Sequence, residues 1–90
     1  MNIREQVLLS LANLSGLNRV WISPTVLART MWAGTMFWQQ RRSSWSCPHL
    51  KRLCRAYCAE RNDDGHYRPT AVGLNHLSKI GAKGWWNERC

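Results

Sequence analysis

Residues 59–70, Ala59-Glu60-Arg61-Asn62-Asp63-Asp64-Gly65-His66-Tyr67-Arg68-Pro69-Thr70, decide how this chain is read. Ala59-Glu60-Arg61 and His66-Tyr67-Arg68 flank Asn62-Asp63-Asp64-Gly65. Asp-Gly between short extended runs signals a hairpin, because glycine takes the positive φ that the turn demands. Tyr67 alternates with His66 and Arg68, so its ring is expected to face inward. Pro69 ends the second strand. Thr70 then caps a helix from Ala71 to about Ile80. Gly73, Leu74, Leu77 and Ile80 share one side of it, and a glycine there permits close backbone approach.

Upstream, Ser46-Cys47-Pro48 reads as a cap followed by proline in the first turn, opening a helix to about Ala59. Leu50, Leu53, Cys54, Tyr57 and Cys58 fall on one stripe of that helix. The opposite side carries Arg52 and Arg55, flanked by His49 and Lys51, so the outer face is cationic. Gln39-Gln40-Arg41-Arg42-Ser43-Ser44 reads as a basic loop, with Met36, Phe37 and Trp38 available to pin it to the body. Ser23-Pro24-Thr25 opens a short helix ending by about Gly34, with Val26, Leu27, Thr30 and Met31 inward. Arg19-Val20-Trp21-Ile22 is a β-prone run after the turn Ser15-Gly16-Leu17-Asn18. Trp21 and Trp45 stand at element ends and read as core or core-edge rings.

The first helix spans Asn2 to Leu14, with Asn2 as its cap. Ile3, Val7, Leu11 and Leu14 recur at helical spacing, Leu8 lies on the stripe's edge, and Leu9 falls on the far side. The predicted architecture is α+β and mostly α: helix, strand, two helices, hairpin, helix. One domain covers residues 1–81, and a Trp-rich tail covers 82–90. Trp85 and Trp86 are too apolar to sit idle in water, so they fold back or meet a partner.

Ninety residues allow one domain, with roughly two-thirds of the unfolded surface buried. Lys plus Arg count 13 and Asp plus Glu 5, a net charge of 13 − 5 = +8 that points to a polyanion. Hydrophobic content of 44% argues against wholesale disorder. No apolar run approaches the ~20 residues that span a bilayer, so no membrane role is expected. Met1-Asn2-Ile3-Arg4-Glu5 lacks a signal-peptide pattern, which implies a cytoplasmic protein with reduced thiols. Cys54 and Cys58, four apart, share a helical face and read as core positions. A zinc site with Cys47, His49 or His66 is the competing reading, and its spacing matches no known ligand pattern. No nucleophile–base arrangement or Gly-rich phosphate loop is readable, so neither an enzyme nor a cofactor is expected.

Ser46-Cys47-Pro48-His49-Leu50-Lys51-Arg52-Leu53 resembles the recognition helix of the winged helix-turn-helix family. Residues 59–73 resemble its wing and the start of the next helix, with a charged hairpin, then an aromatic, a Thr and a Gly. The resemblance covers roughly residues 1–80, is sharpest over 46–73, and points to the small regulators of bacteria and their phages. Two features depart from it: Tyr57 and Cys58 stand where the family usually has Gly and an aliphatic residue, and residues 33–45 replace a tight turn. Either the third helix runs on past Tyr57, or its turn is strained.

The resemblance implies a sequence-specific, double-stranded DNA-binding transcriptional regulator, a repressor, acting as a homodimer in the nucleoid or, if phage-encoded, in the host cytoplasm. Ser46, His49 and Arg52 would face the bases, and Arg52 suits guanine. Arg41, Arg42, Ser43, Ser44, Lys51 and Arg55 would hold phosphates, and Arg61, His66 and Arg68 of the wing would reach the backbone or minor groove. The alternative is a phage-type winged-helix module that binds and inhibits or redirects a host protein through a Trp-rich surface.

Overall fold

The computed structural model describes residues 2–32 and 43–89. The described chain is α+β and mostly helical: α1 (Ile3–Ser15), α2 (Pro24–Trp32), α3 (Ser43–Arg55), β1 (Ala59–Arg61), β2 (Tyr67–Pro69) and α4 (Ala71–Lys79). A 3-10 turn, Trp85–Arg89, follows. The expected helix end at Gly34, the loop residues Met36, Phe37 and Trp38, and Cys90 lie outside the described residues.

Asn2 caps α1 as expected. Its side chain accepts from the Glu5 N–H at 2.8 Å, and Glu5 Oε1 accepts from the Asn2 N–H at 3.1 Å, a reciprocal box. Val7, Leu8, Leu11 and Ala12 are buried, Ile3 is exposed, and Leu9 is half-buried against the core. The buried arc is wider than one stripe because α2, α3 and α4 all pack on α1. Ser23 caps α2, its Oγ accepting from the Val26 N–H at 3.2 Å. The inner face of α2 carries Leu27, Ala28 and half-buried Met31, whereas Val26 and Thr30 are exposed.

Helix α3 begins at Ser43, three residues before the expected cap. Ser46 therefore lies inside the helix, fully buried, and its Oγ donates to the Pro24 carbonyl at 3.2 Å. Pro48 stands within the helix, where its nitrogen cannot donate to the carbonyl a turn back. The helix ends at Arg55 and not near Ala59, because Tyr57 adopts φ 61°. The Tyr57 N–H donates to Cys54 O at 3.0 Å and the Cys58 N–H to Leu53 O at 2.9 Å. This paired closure is usually made with glycine. The Tyr57 ring points to solvent, and Cys58, past the turn, does not share a helical face with Cys54. Both thiols are half-buried against the core.

The hairpin pairs Ala59 with Pro69, Glu60 with Arg68 and Arg61 with Tyr67. Asn62 organises its loop: Oδ1 accepts from the Asp64 and His66 N–H groups at 3.0 and 2.9 Å, and Gly65 takes φ 77°. Tyr67 is buried, as its alternation predicts. The expected strand at 19–22 contracts to one bridge, in which Ile22 and Tyr67 exchange N–H···O bonds of 2.8 Å each way. Arg19 at φ 52° bends the chain before the bridge, and α2 begins at Pro24 just after it.

Thr70 caps α4, accepting from the Gly73 N–H at 3.2 Å. Its own N–H donates to Cys58 O at 3.0 Å, and its hydroxyl donates to Tyr57 O. A Cβ on Gly73 would sit 2.1 Å from the Cys58 carbonyl oxygen, so only glycine fits this crossing. Ile80, expected on the packed side, stands past the last helical turn and is exposed. Trp85 and Trp86 fold back. Trp86 is buried with its Nε1 donating to Ala82 O at 3.1 Å, and Trp85 Nε1 donates to Ala12 O at 2.9 Å. The core thus gathers side chains from all four helices, the hairpin and the final turn.

Replacing Gly73 by Ala should destabilise the fold by about 1–3 kcal/mol, since backbone and not a movable side chain blocks the methyl. Urea denaturation of the two proteins measures this directly.

Candidate functional site

The buried stripe of α3, Ser46, Leu50 and Leu53, fixes what faces out. Pro48, Lys51, Arg52 and Arg55 are exposed, and no Asp or Glu lies within Ser43–Arg55. Among the described residues, no ion pair holds Lys51, Arg52, Arg55 or Arg61. Carboxylates are engaged elsewhere: Glu60 with Arg68 and Arg19, and Glu5 with His76.

Two grooves flank α3. One, of about 530 Å³, lies between α3 and the hairpin; Lys51, Arg55, Arg61, Cys47, Cys54 and Tyr67 line it, together with Pro24 and Gly65. The Arg61 guanidinium lies over Gly65, 3.4 Å from where a Cβ would stand. The other groove, also about 530 Å³, lies between α1, α3 and α4 and includes Arg52, Leu8, Val72 and His76. Arg52 is thus separated from Lys51 and Arg55 by the curvature of the helix.

Several expected contact residues are placed otherwise. Ser46 is buried in the packing of α3 on α2 and cannot face a ligand. Arg68 is inside a structural network: its guanidinium stacks 4.2 Å from the Trp21 ring centroid, and its Nε donates to Glu60. Arg19 completes that network, donating to Pro69 O at 3.0 Å and pairing with Glu60 at 3.6 Å. His49 and His66 are half-buried. Arg41 and Arg42 lie outside the described residues, and of Ser43 and Ser44 only the helical backbone is described. Sequence reasoning missed Arg4 and Lys79, which join Arg52 around the second groove. The spacing Val72, Asn75, His76, Lys79 is a helical stripe of α4 that could have revealed it.

Burial pushes the Cys54 thiol up, against a lowering by nearby Arg61. Burial also raises Cys58 and the Tyr67 phenol. These thiols are therefore poor nucleophiles. Among the described residues, no group of three His, Cys, Asp or Glu side chains converges on a metal position. The Glu5 carboxyl is held below its ordinary value of 4.5, first by the Asn2 backbone N–H and then by His76 Nε2 at 2.9 Å. No helix among the described residues is long and apolar enough to cross a membrane.

No family model, curated protein or solved structure matches this chain.

Arg68→Ala should lower stability by about 1 kcal/mol through loss of the Trp21 stack and the Glu60 pair, whereas Arg55→Ala should leave the thermal midpoint unchanged. Glu5→Gln should lower the thermal midpoint at pH 7. Because the native carboxyl titrates below its unfolded value, its contribution is complete above that value and fades as pH falls through the native one. Wild-type and variant melting curves should therefore draw together as pH falls through the native carboxyl's titration.

Proposed function

We propose that this chain is a winged helix-turn-helix module that binds double-stranded DNA, with α3 in the major groove and the hairpin beside the flanking backbone. The observation that carries the reading is the outer face of α3: Lys51, Arg52 and Arg55 exposed, without a carboxylate, next to Arg61 across a groove. The element order supports it. The bridge at Ile22 and the two strands after α3 would form the wing, and α1 and α2 back the presented helix.

A major groove about 12 Å wide admits one α-helix. Arg52 is the base reader, since a guanidinium can bind guanine O6 and N7 bidentately for about 1–3 kcal/mol of discrimination. Lys51, Arg55 and Arg61 line one groove and suit a phosphate strand, which positions the protein without specifying sequence. Asp63 and Asp64 are exposed at the loop and repel phosphates, so the wing contacts DNA through Arg61 at its base and not through its tip. Base selectivity would make the chain a transcriptional regulator, and occupancy of a promoter would make it a repressor. Folding back buries Trp86 and leaves Trp85 half-buried, so less of the tail's aromatic surface is open to a partner, which weakens the host-protein alternative.

Selection from a randomised duplex pool at physiological salt tests this. An enriched motif is expected, and two-fold symmetry in it would assign a homodimer. Arg52→Ala should relax the base preference. Arg55→Ala should keep the preference, weaken all sequences alike, and reduce the slope of log K against log salt by about 1. Failure to retain any duplex would overturn the reading.

A further inference from the structure

We propose that the groove between α1, α3 and α4 binds a small amphipathic anion, an apolar body carrying a carboxylate, and that this ligand competes with DNA for Arg52. The site is roomy, about 530 Å³, within the range of about 300–1,000 Å³ that small-molecule sites occupy. Its floor is aliphatic: Leu8 and Leu53 from the core, with Ala56 and Val72 above them. Val72 is 54% exposed on a helix face otherwise lined by Asn75, His76 and Lys79, an apolar patch with no described side chain covering it.

The rim supplies the charge. Arg4, Arg52 and Lys79 come from three different helices and converge on one groove. Glu5 is the sole carboxylate lining it, and both of its oxygens are engaged: Oε1 accepts from the Asn2 N–H, and Oε2 faces His76 Nε2 at 2.9 Å. Three cations therefore face an aliphatic floor, and the one carboxylate on the rim is held by Asn2 and His76. A phosphate strand has no use for that floor, whereas an apolar-bodied acid uses both parts. The groove on the other side of α3 differs in kind, since it opens between the reading helix and the wing.

Arg52 belongs to both surfaces, exposed on α3 and lining this groove. A carboxylate that draws its guanidinium toward α4 withdraws it from the base edges. This second half of the proposal rests on the DNA-binding reading above. The first half, the site itself, does not.

The test is a titration of the ¹⁵N-labelled protein with 2-naphthoate, alongside 2-naphthamide and inorganic phosphate at equal ionic strength. Saturable amide shifts are expected at Leu8, Leu53, Ala56 and Val72. The uncharged amide should bind at least about tenfold more weakly, the loss of one charge-assisted contact. Val72→Asp, at an exposed position in the first turn of α4, should abolish the naphthoate shifts with the remaining spectrum intact. Shifts that do not saturate, that map elsewhere, or that phosphate or naphthamide reproduce at equal strength would overturn the site. In duplex binding, naphthoate at ten times its Kd should weaken the wild type about tenfold and leave Val72→Asp unaffected. Bound naphthoate without weakened duplex binding would overturn the competition alone. Absence of any duplex binding would overturn the DNA reading and the competition together, and the shifts would still decide the groove.

Discussion

The carbonyl of Cys58 is the joint on which the described fold turns. It accepts the Thr70 N–H, and the backbone of Gly73 rests against it with no room for a methyl. Three elements meet there: the end of α3, the start of β1 and the first turn of α4. The left-handed turn at Tyr57 delivers that carbonyl, and Thr70 locks it from the other side by donating to Tyr57 O. The angle between α3 and the hairpin, and so the groove holding Lys51, Arg55 and Arg61, follows from this one contact.

Around the joint, charge is sorted by use. Arg19 and Arg68 are tied to Glu60, to backbone carbonyls and to the Trp21 ring. The cations of α3 have no such partners among the described ion pairs. Surface charges that contribute nothing to packing raise the free energy of the compact state through mutual repulsion. Their concentration on one helix is therefore not accounted for by the described ion pairs of the fold.

Much of this was legible in the sequence where local chemistry decides it. The caps Asn2, Ser23 and Thr70, the Asn62–Gly65 loop and the inward Tyr67 all rest on short-range rules, and all stand in the structure. What sequence misplaced depends on contacts between distant segments. Ser46-Cys47-Pro48 carries a start signal, but α3 begins a turn earlier and carries Ser46 into the core against Pro24. Arg68 alternates outward from Tyr67 as expected, and the Ile22 bridge then brings Trp21 over it. At Tyr57 the sequence left two outcomes open, a longer helix or a strained turn, and the left-handed Tyr57 is the second. The α4 stripe Val72, Asn75, His76 and Lys79 was readable, but packing alone brings Arg4 and Arg52 to the same groove.

The Trp85 indole donates to the carbonyl of Ala12, and His76 reaches Glu5, contacts that span 73 and 71 residues of chain. Closing loops of that length carries a large conformational entropy before any contact repays it. Helices α2 and α3 are closer in sequence and can meet earlier. The contact of Trp85 with Ala12 therefore forms late, and Trp86 becomes buried only when the final turn docks. Burial of Trp86 thus marks the docked end of the chain and not its early collapse.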